Sequence, residues 1–170
     1  MQVTLRPLAE QDTADVVRWR NDPFVRHNLY TQTTLTCAQH LNWFRTQVET
    51  GRCVQFVILL DGAPVGTTFL KNIDADSRKA EFGIFIGEPS ARGLGVGTAA
   101  TKLLLAHAFD TMGLHRVYLT VMADNFAGVA AYGRAGFLQE GVSKDDYRRG
   151  DQFVDVIKMG LTETQWRQNE

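Results

Sequence analysis

Neither sign of charge is in excess in this chain: 18 Lys and Arg stand against 19 Asp and Glu, for a formal net charge of -1. Without a basic surplus there is no broad footprint for a nucleic-acid backbone, so no nucleic-acid partner is expected. Cysteine is nearly missing. Cys37 and Cys53 stand alone, without the spacing of metal ligands. Two isolated thiols lead to the expectation of a reducing, cytoplasmic setting. His27, His40, His107 and His115 are scattered, so no metal is expected either. No apolar run is long enough to cross a bilayer, and Met1 to Pro7 lacks the apolar centre of a secretory leader. No membrane partner is expected.

What is present is ordinary globular material: 170 residues, 44% hydrophobic and 22% charged, enough for one domain over residues 1–170 with a real core. Val3 to Arg6 alternates as a first strand. Asp12 is a candidate N-cap for a helix ending near Asn21-Asp22-Pro23. Thr36-Cys37-Ala38-Gln39 has the form of a capping box, opening a helix that Gly51 stops and that turns Leu41, Trp43, Phe44 and Val48 inward. Cys53–Leu60 and Val65–Leu70 make a hairpin, and Glu81–Ile86 adds a third antiparallel strand. A helix then runs through Ala99, Leu103, Leu104 and Phe109 to Gly113. It delivers the strand Arg116–Val121 parallel to the Glu81 strand. Asn125 caps a helix ending at Gly136, and Phe137–Gly141 pairs with Phe153–Met159. The expected class is α/β: a central mixed antiparallel and parallel twisted sheet with helices on both faces.

The chemistry begins at Arg92-Gly93-Leu94-Gly95-Val96-Gly97, between a strand and a helix. Glycines there permit backbone angles that a Cβ forbids, and they bare the first N–H groups of the helix. Those donors and the positive helix end suit a pyrophosphate, with Arg92 adding a charge at the rim. The P-loop pattern fails because Gly97 is followed by Thr98-Ala99, and the dinucleotide fingerprint fails because the loop lies past mid-chain.

The ordered set Arg92-x-x-Gly95-x-Gly97, then a strand, Asn125, Tyr132 and Gly136-Phe137 resembles the GNAT superfamily of acetyl-CoA-dependent N-acetyltransferases, over about Glu81 to Gly141. The resemblance implies a V-shaped cleft where the Glu81 and Arg116 strands splay. Acetyl-CoA would enter as co-substrate, its pyrophosphate on Gly93, Leu94, Gly95, Val96, Gly97 and Thr98, its pantetheine arm against Phe85, Ile86 and Asn125. Tyr132 would protonate the departing thiolate and Glu81 would relieve the amine of its proton. Each role has a plainer competitor: Asn125 as a helix cap, Tyr132 as a core tyrosine, Glu81 as a solvated strand-end carboxylate. Some relatives carry a glutamate where this chain has Thr120, which leaves the base open.

Arg18-Trp19-Arg20-Asn21, with Tyr30, His40 and Trp43, resembles the branch containing ribosomal-protein, polyamine and nucleotide-amino-sugar acetyltransferases. The expected partner is a small-molecule amine, and a homodimer is allowed. The Trp-Arg-Asn run with His40 favours a nucleotide-linked 4-amino sugar, with Arg18, Arg20, Asn21, Tyr30, His40 and Trp43 as its contacts. Helix packing by Trp19 and Trp43 competes with that reading. A polyamine would call for carboxylates in this segment, and residues 13 to 48 hold only Asp15 and Asp22, although Glu140, Asp145, Asp146 and Asp151 lie near the closing strands. A protein N-terminus is a further alternative acceptor, and a non-catalytic acyl-CoA-binding module is the alternative to an enzyme.

Overall fold

Residues 1–169 are described by a computed structural model. Seven strands, β1 (Val3–Pro7), β2 (Val54–Leu60), β3 (Ala63–Asp74), β4 (Lys79–Ile86), β5 (Arg116–Met122), β6 (Leu138–Arg149) and β7 (Gln152–Thr162), form one sheet in the order β1-β2-β3-β4-β5-β7-β6. Every neighbouring pair is antiparallel except β4 and β5, which the intervening helical crossover makes parallel.

The helices are α1 (Thr13–Asn21), α2 (Pro23–His27), α3 (Cys37–Trp43), α4 (Val96–Ala106), α5 (Phe126–Ala135) and α6 (Glu163–Gln168). The near-continuous apolar run of β2 follows from burial on both faces. Val57 packs with Trp19, Val16 and Phe85 under α1 and α3, whereas its neighbour Ile58 packs with Val96 and Ala100 of α4. The main core gathers Leu70, Phe82, Leu104, Leu105, Val117, Leu119, Phe137 and Leu161. Each such large side chain contributes about 1.5–3 kcal/mol by leaving water.

Several boundaries differ from the sequence reading. Asp12 does not cap α1 through its side chain; its carboxylate instead takes two hydrogen bonds from Arg6 and one from the Ala9 N–H. The helix predicted from Thr36 keeps its capping box, then widens into a π turn over Phe44–Val48. Helices α2 and α6 were not anticipated, and β6 and β7 run well past their expected ends. Among the described residues no helix is long and apolar enough to cross a membrane, and no cluster of His, Cys, Asp and Glu is placed to hold a metal.

Candidate active site

Strands β4 and β5 touch over only three register pairs, Lys79 with Arg116, Ala80 with Val117 and Glu81 with Tyr118. Beyond Glu81 they part, while β4 stays paired to β3 as far as Ile86. The parting leaves one edge of β4 without a ladder and opens a cleft of about 580 Å³. Phe82 to Ile86 line one wall, Leu119 to Met122 the other, and the α4 loop closes one end.

That loop presents a row of unfilled backbone donors. Gly93 and Gly95 adopt φ of +74° and +81°, a region costly for any residue with a Cβ. Gly95 is the N-cap of α4, and the helical ladder begins only at Ala99, whose N–H meets the Gly95 carbonyl at 3.0 Å. The N–H groups from Gly93 to Thr98 have no backbone acceptor among the described residues. Consecutive unfilled donors at the positive end of a helix fit a diphosphate. Arg92 is not the free rim charge expected. Its Nε and Nη2 donate to the carbonyls of Ile86 and Gly87 at 3.2 and 2.8 Å, and its guanidinium lies over the Phe24 ring at 4.1 Å. It ties the loop to the end of β4 and occupies the Ile86 carbonyl.

At the other end of the cleft stand Glu81, Tyr30 and Thr120. Glu81 accepts from Asn72 Nδ2 at 2.7 Å and faces Lys71 Nζ at 3.9 Å. The Tyr30 hydroxyl donates to Thr120 Oγ1 at 2.9 Å, and Tyr147 Oη donates to the Tyr30 carbonyl at 2.8 Å. Burial pushes the Tyr30 phenol above its ordinary value, against the lowering effect of its bond to Thr120. Asp146 adds negative potential there, in the same direction as Glu81.

Tyr132, on α5, lies against Phe82 and Phe137 with ring centroids 5.8 and 6.3 Å away. It lines the cleft, and its hydroxyl has no protein partner among the described residues. Burial pushes its phenol up to about 12, so it carries its proton at neutral pH. Asn125 also lines the cleft, while its Oδ1 accepts from the Gly128 N–H at 3.0 Å. The helix-cap role is therefore present, and it leaves the amide nitrogen unused.

The acceptor-side residues divide. Arg20 and Tyr30 line the cleft; Arg18, Asn21, His40 and Trp43 do not. Arg18 pairs with Asp15 and Glu88 on the surface. Asn21 clamps Leu35 through both its N–H and its carbonyl. His40 is buried with Nδ1 3.0 Å from Thr13 Oγ1, and Trp43 packs into the core beneath α1. His40 and Trp43 face inward because α1 and α3 need an apolar face against the sheet. Helical spacing alone does not say whether an aromatic face meets a core or a ligand. Sequence reasoning missed Phe24, Lys71, Arg134 and Tyr147, which carry no motif.

A split parallel strand pair with a glycine-capped helix beneath it, a neutral tyrosine and a carboxylate defines an acyl-CoA-dependent acyltransferase site. The chain belongs to the GNAT acetyltransferases: the acetyltransferase (GNAT) domain profile matches residues 2–138. It is an N-acetyltransferase that uses acetyl-CoA as co-substrate. It is 27% identical to the spermidine N(1)-acetyltransferase of Escherichia coli over 164 residues, 96% of this chain and 88% of that one. It is 33% identical over 109 residues, 64% of this chain and 59% of the relative, to YdaF of Bacillus subtilis, by name a ribosomal N-acetyltransferase. In fold it is similar to the Vibrio cholerae spermidine N-acetyltransferase solved with CoA and spermine, with a TM-score of 0.91, 23% identity and 98% of each chain covered.

Proposed function

We propose that the acceptor is a cationic primary amine of the polyamine class. The observation that carries this reading is the acidic acceptor end: Glu81 sits where the strands part, and Asp146 of β6 acts on the same tyrosine, Tyr30, as Glu81 does. Residues 13 to 48 are poor in carboxylates; in support of the reading, Glu81 of β4 lines the cleft, and Asp146 lies in the β6 bulge between Ser143 and Tyr147, which Tyr147 ties to Tyr30. The similarity to a spermidine acetyltransferase over nearly the whole chain supports the same reading. A nucleotide-linked amino sugar has little support, since Arg18, Asn21, His40 and Trp43 are turned away from the cleft.

The reaction follows from the groups at hand. An ammonium of pKa about 10 loses a proton toward Glu81, directly or through water. The amine attacks the thioester carbonyl, the carbon–sulfur bond breaks, and the Tyr132 hydroxyl gives its proton to the thiolate. The proton taken by Glu81 and the proton lost by the new amide nitrogen pass to solvent, from which the phenol regains its own. The products are an N-acetylamine and free coenzyme A.

Incubating the purified protein with acetyl-CoA and, separately, spermidine, a peptide with a free N-terminus and a nucleotide-linked 4-amino sugar tests the proposal. Thiol release and product mass are the readouts. Spermidine is expected to be acetylated fastest. Turnover of the peptide or the sugar with none of spermidine overturns the assignment.

A further inference from the structure

Between the end of α1 and the loop from Thr31 to Leu35 lies a second cavity of about 250 Å³, lined by Arg20, Thr31, Thr33, Thr34, Leu35 and Gln39. No carboxylate lines it. Arg20 and Thr31 are the wall it shares with the acetyl-CoA cleft. Most of the other arginines near an interior have acids: Arg6 has Asp12, Arg116 has Glu140 and Arg149 has Asp124. Arg20 has none among the described residues, and its Nε is buried without a hydrogen-bond partner. A desolvated guanidinium without a counter-ion is unfavourable, and in a folded protein such a charge is normally paired.

The surroundings do not supply that charge. Asp12 is taken by Arg6, and Asp15 by Arg18. His40 is near enough for Arg20 to disfavour its protonation, in the same direction as its burial, so it is held neutral. Arg26 adds a second positive group: its Nη2 lies 3.2 Å from Asn21 Oδ1 and 3.5 Å from Thr34 Oγ1, and its Nε is also buried and unpartnered. Gln39 uses its carbonyl oxygen on the Thr36 N–H at 2.9 Å, which leaves its amide N–H groups to donate. The cavity thus has a guanidinium, three hydroxyls and an amide donor around one space, with no negative group.

We propose that this cavity binds a small oxyanion, a phosphate or a carboxylate, held by Arg20 with Thr31, Thr33, Thr34 and Gln39. It is a different site from the N–H groups of Gly93 to Thr98, and it does not depend on the identity of the amine.

The test is thermal melting and calorimetry on the full chain saturated with acetyl-CoA, so that the pyrophosphate loop is filled. Inorganic phosphate and citrate are titrated separately at ionic strength held constant with chloride. The expected result is a saturable rise in melting temperature with at least one of the two, the effective one identifying the class. Arg20→Gln is expected to weaken binding at least tenfold, while Arg52→Gln, an exposed arginine away from the cavity, leaves it unchanged. Should Arg20→Gln fail to fold, the pair Thr33→Val and Thr34→Val is expected to weaken binding severalfold. A response that chloride reproduces, that acetyl-CoA abolishes, or that Arg20→Gln and the threonine pair both retain overturns the proposal.

Discussion

The hydroxyl of Tyr30 donates to Thr120 Oγ1 at 2.9 Å across 90 positions of sequence, joining the segment after α2 to the far wall of the cleft. With the Tyr147 bond to the Tyr30 carbonyl, and the two rings edge to face at 5.2 Å, it forms a strap over the acceptor end. A single partly exposed hydrogen bond of this kind is worth about 0.5–1.5 kcal/mol. Tyr30→Phe is therefore expected to raise the KM for the amine about 2- to 10-fold and to leave acetyl-CoA affinity unchanged. Steady-state kinetics paired with calorimetry check both halves, and an unchanged KM would remove Tyr30 from the acceptor site.

Gly95→Val is expected to weaken acetyl-CoA binding. The added Cβ meets nothing within 4 Å, so the cost is conformational: φ of +81° is a strained angle for valine, at about 1–3 kcal/mol. Relaxing that angle turns the N–H groups away from the phosphates. Calorimetry with acetyl-CoA on a folded variant measures the loss, and equal affinity would sink the loop assignment.

Tyr132→Phe is expected to keep acetyl-CoA affinity and to lower kcat by about 10²–10⁴-fold, the usual contribution of a general acid. Because the phenol is pushed up to about 12, its ionisation does not limit the rate at neutral or mildly alkaline pH. The same shift has a stability consequence. The folded value lies above the unfolded one of about 10, so the contribution is complete below pH 10 and disappears as pH rises from about 10 to about 12. A pH–rate profile and alkaline melts of wild type and Tyr132→Phe separate the two effects. A wild-type kcat in the variant would assign the proton to water.

The two cysteines are expected to react unequally. Cys37 is exposed, whereas burial pushes the Cys53 thiol up to about 12 and leaves almost no thiolate at pH 8. A disulfide reagent should titrate one thiol in the native protein and two in denaturant, and Cys37→Ser should leave none reactive until unfolding. Rapid reaction of Cys53 in the native state would show that its segment opens.

Much of the fold is legible in the residues because its signals are local. The alternation of Glu81 to Ile86, the glycines before α4 and the period of Ala99, Leu103, Leu104 and Phe109 each name one element without knowledge of the rest, although Leu103 is exposed and the buried face of α4 is Ala100, Leu104 and Leu105. The long hairpin of β6 and β7 was cut short because Ser143 to Asp146 is polar on both sides and interrupted by a bulge, which reads as loop. The acceptor side was misjudged for a different reason. His40 is 3% exposed and Trp43 packs against the core under α1, so these two of the expected contacts belong to the core, whereas Tyr30 lines the cleft. Asp146, whose charge is felt at Tyr30 beside that of Glu81, lies on a strand more than a hundred residues away in sequence, and no short-range pattern marks that proximity.

The three-pair junction between β4 and β5 has a mechanical meaning. Strands β1 to β4 and strands β5 to β7 meet in the sheet only through those three pairs, and a co-substrate with its amides along the bare edge of β4, as proposed for the pantetheine arm, would stand in for a missing strand. Acetyl-CoA is then a brace as well as a donor: losing the acetyl group leaves the brace in place, but losing coenzyme A removes it. Product departure would then leave the edge of β4 bare again, and amide exchange along Phe82 to Ile86 is expected to be slower with coenzyme A bound than without it.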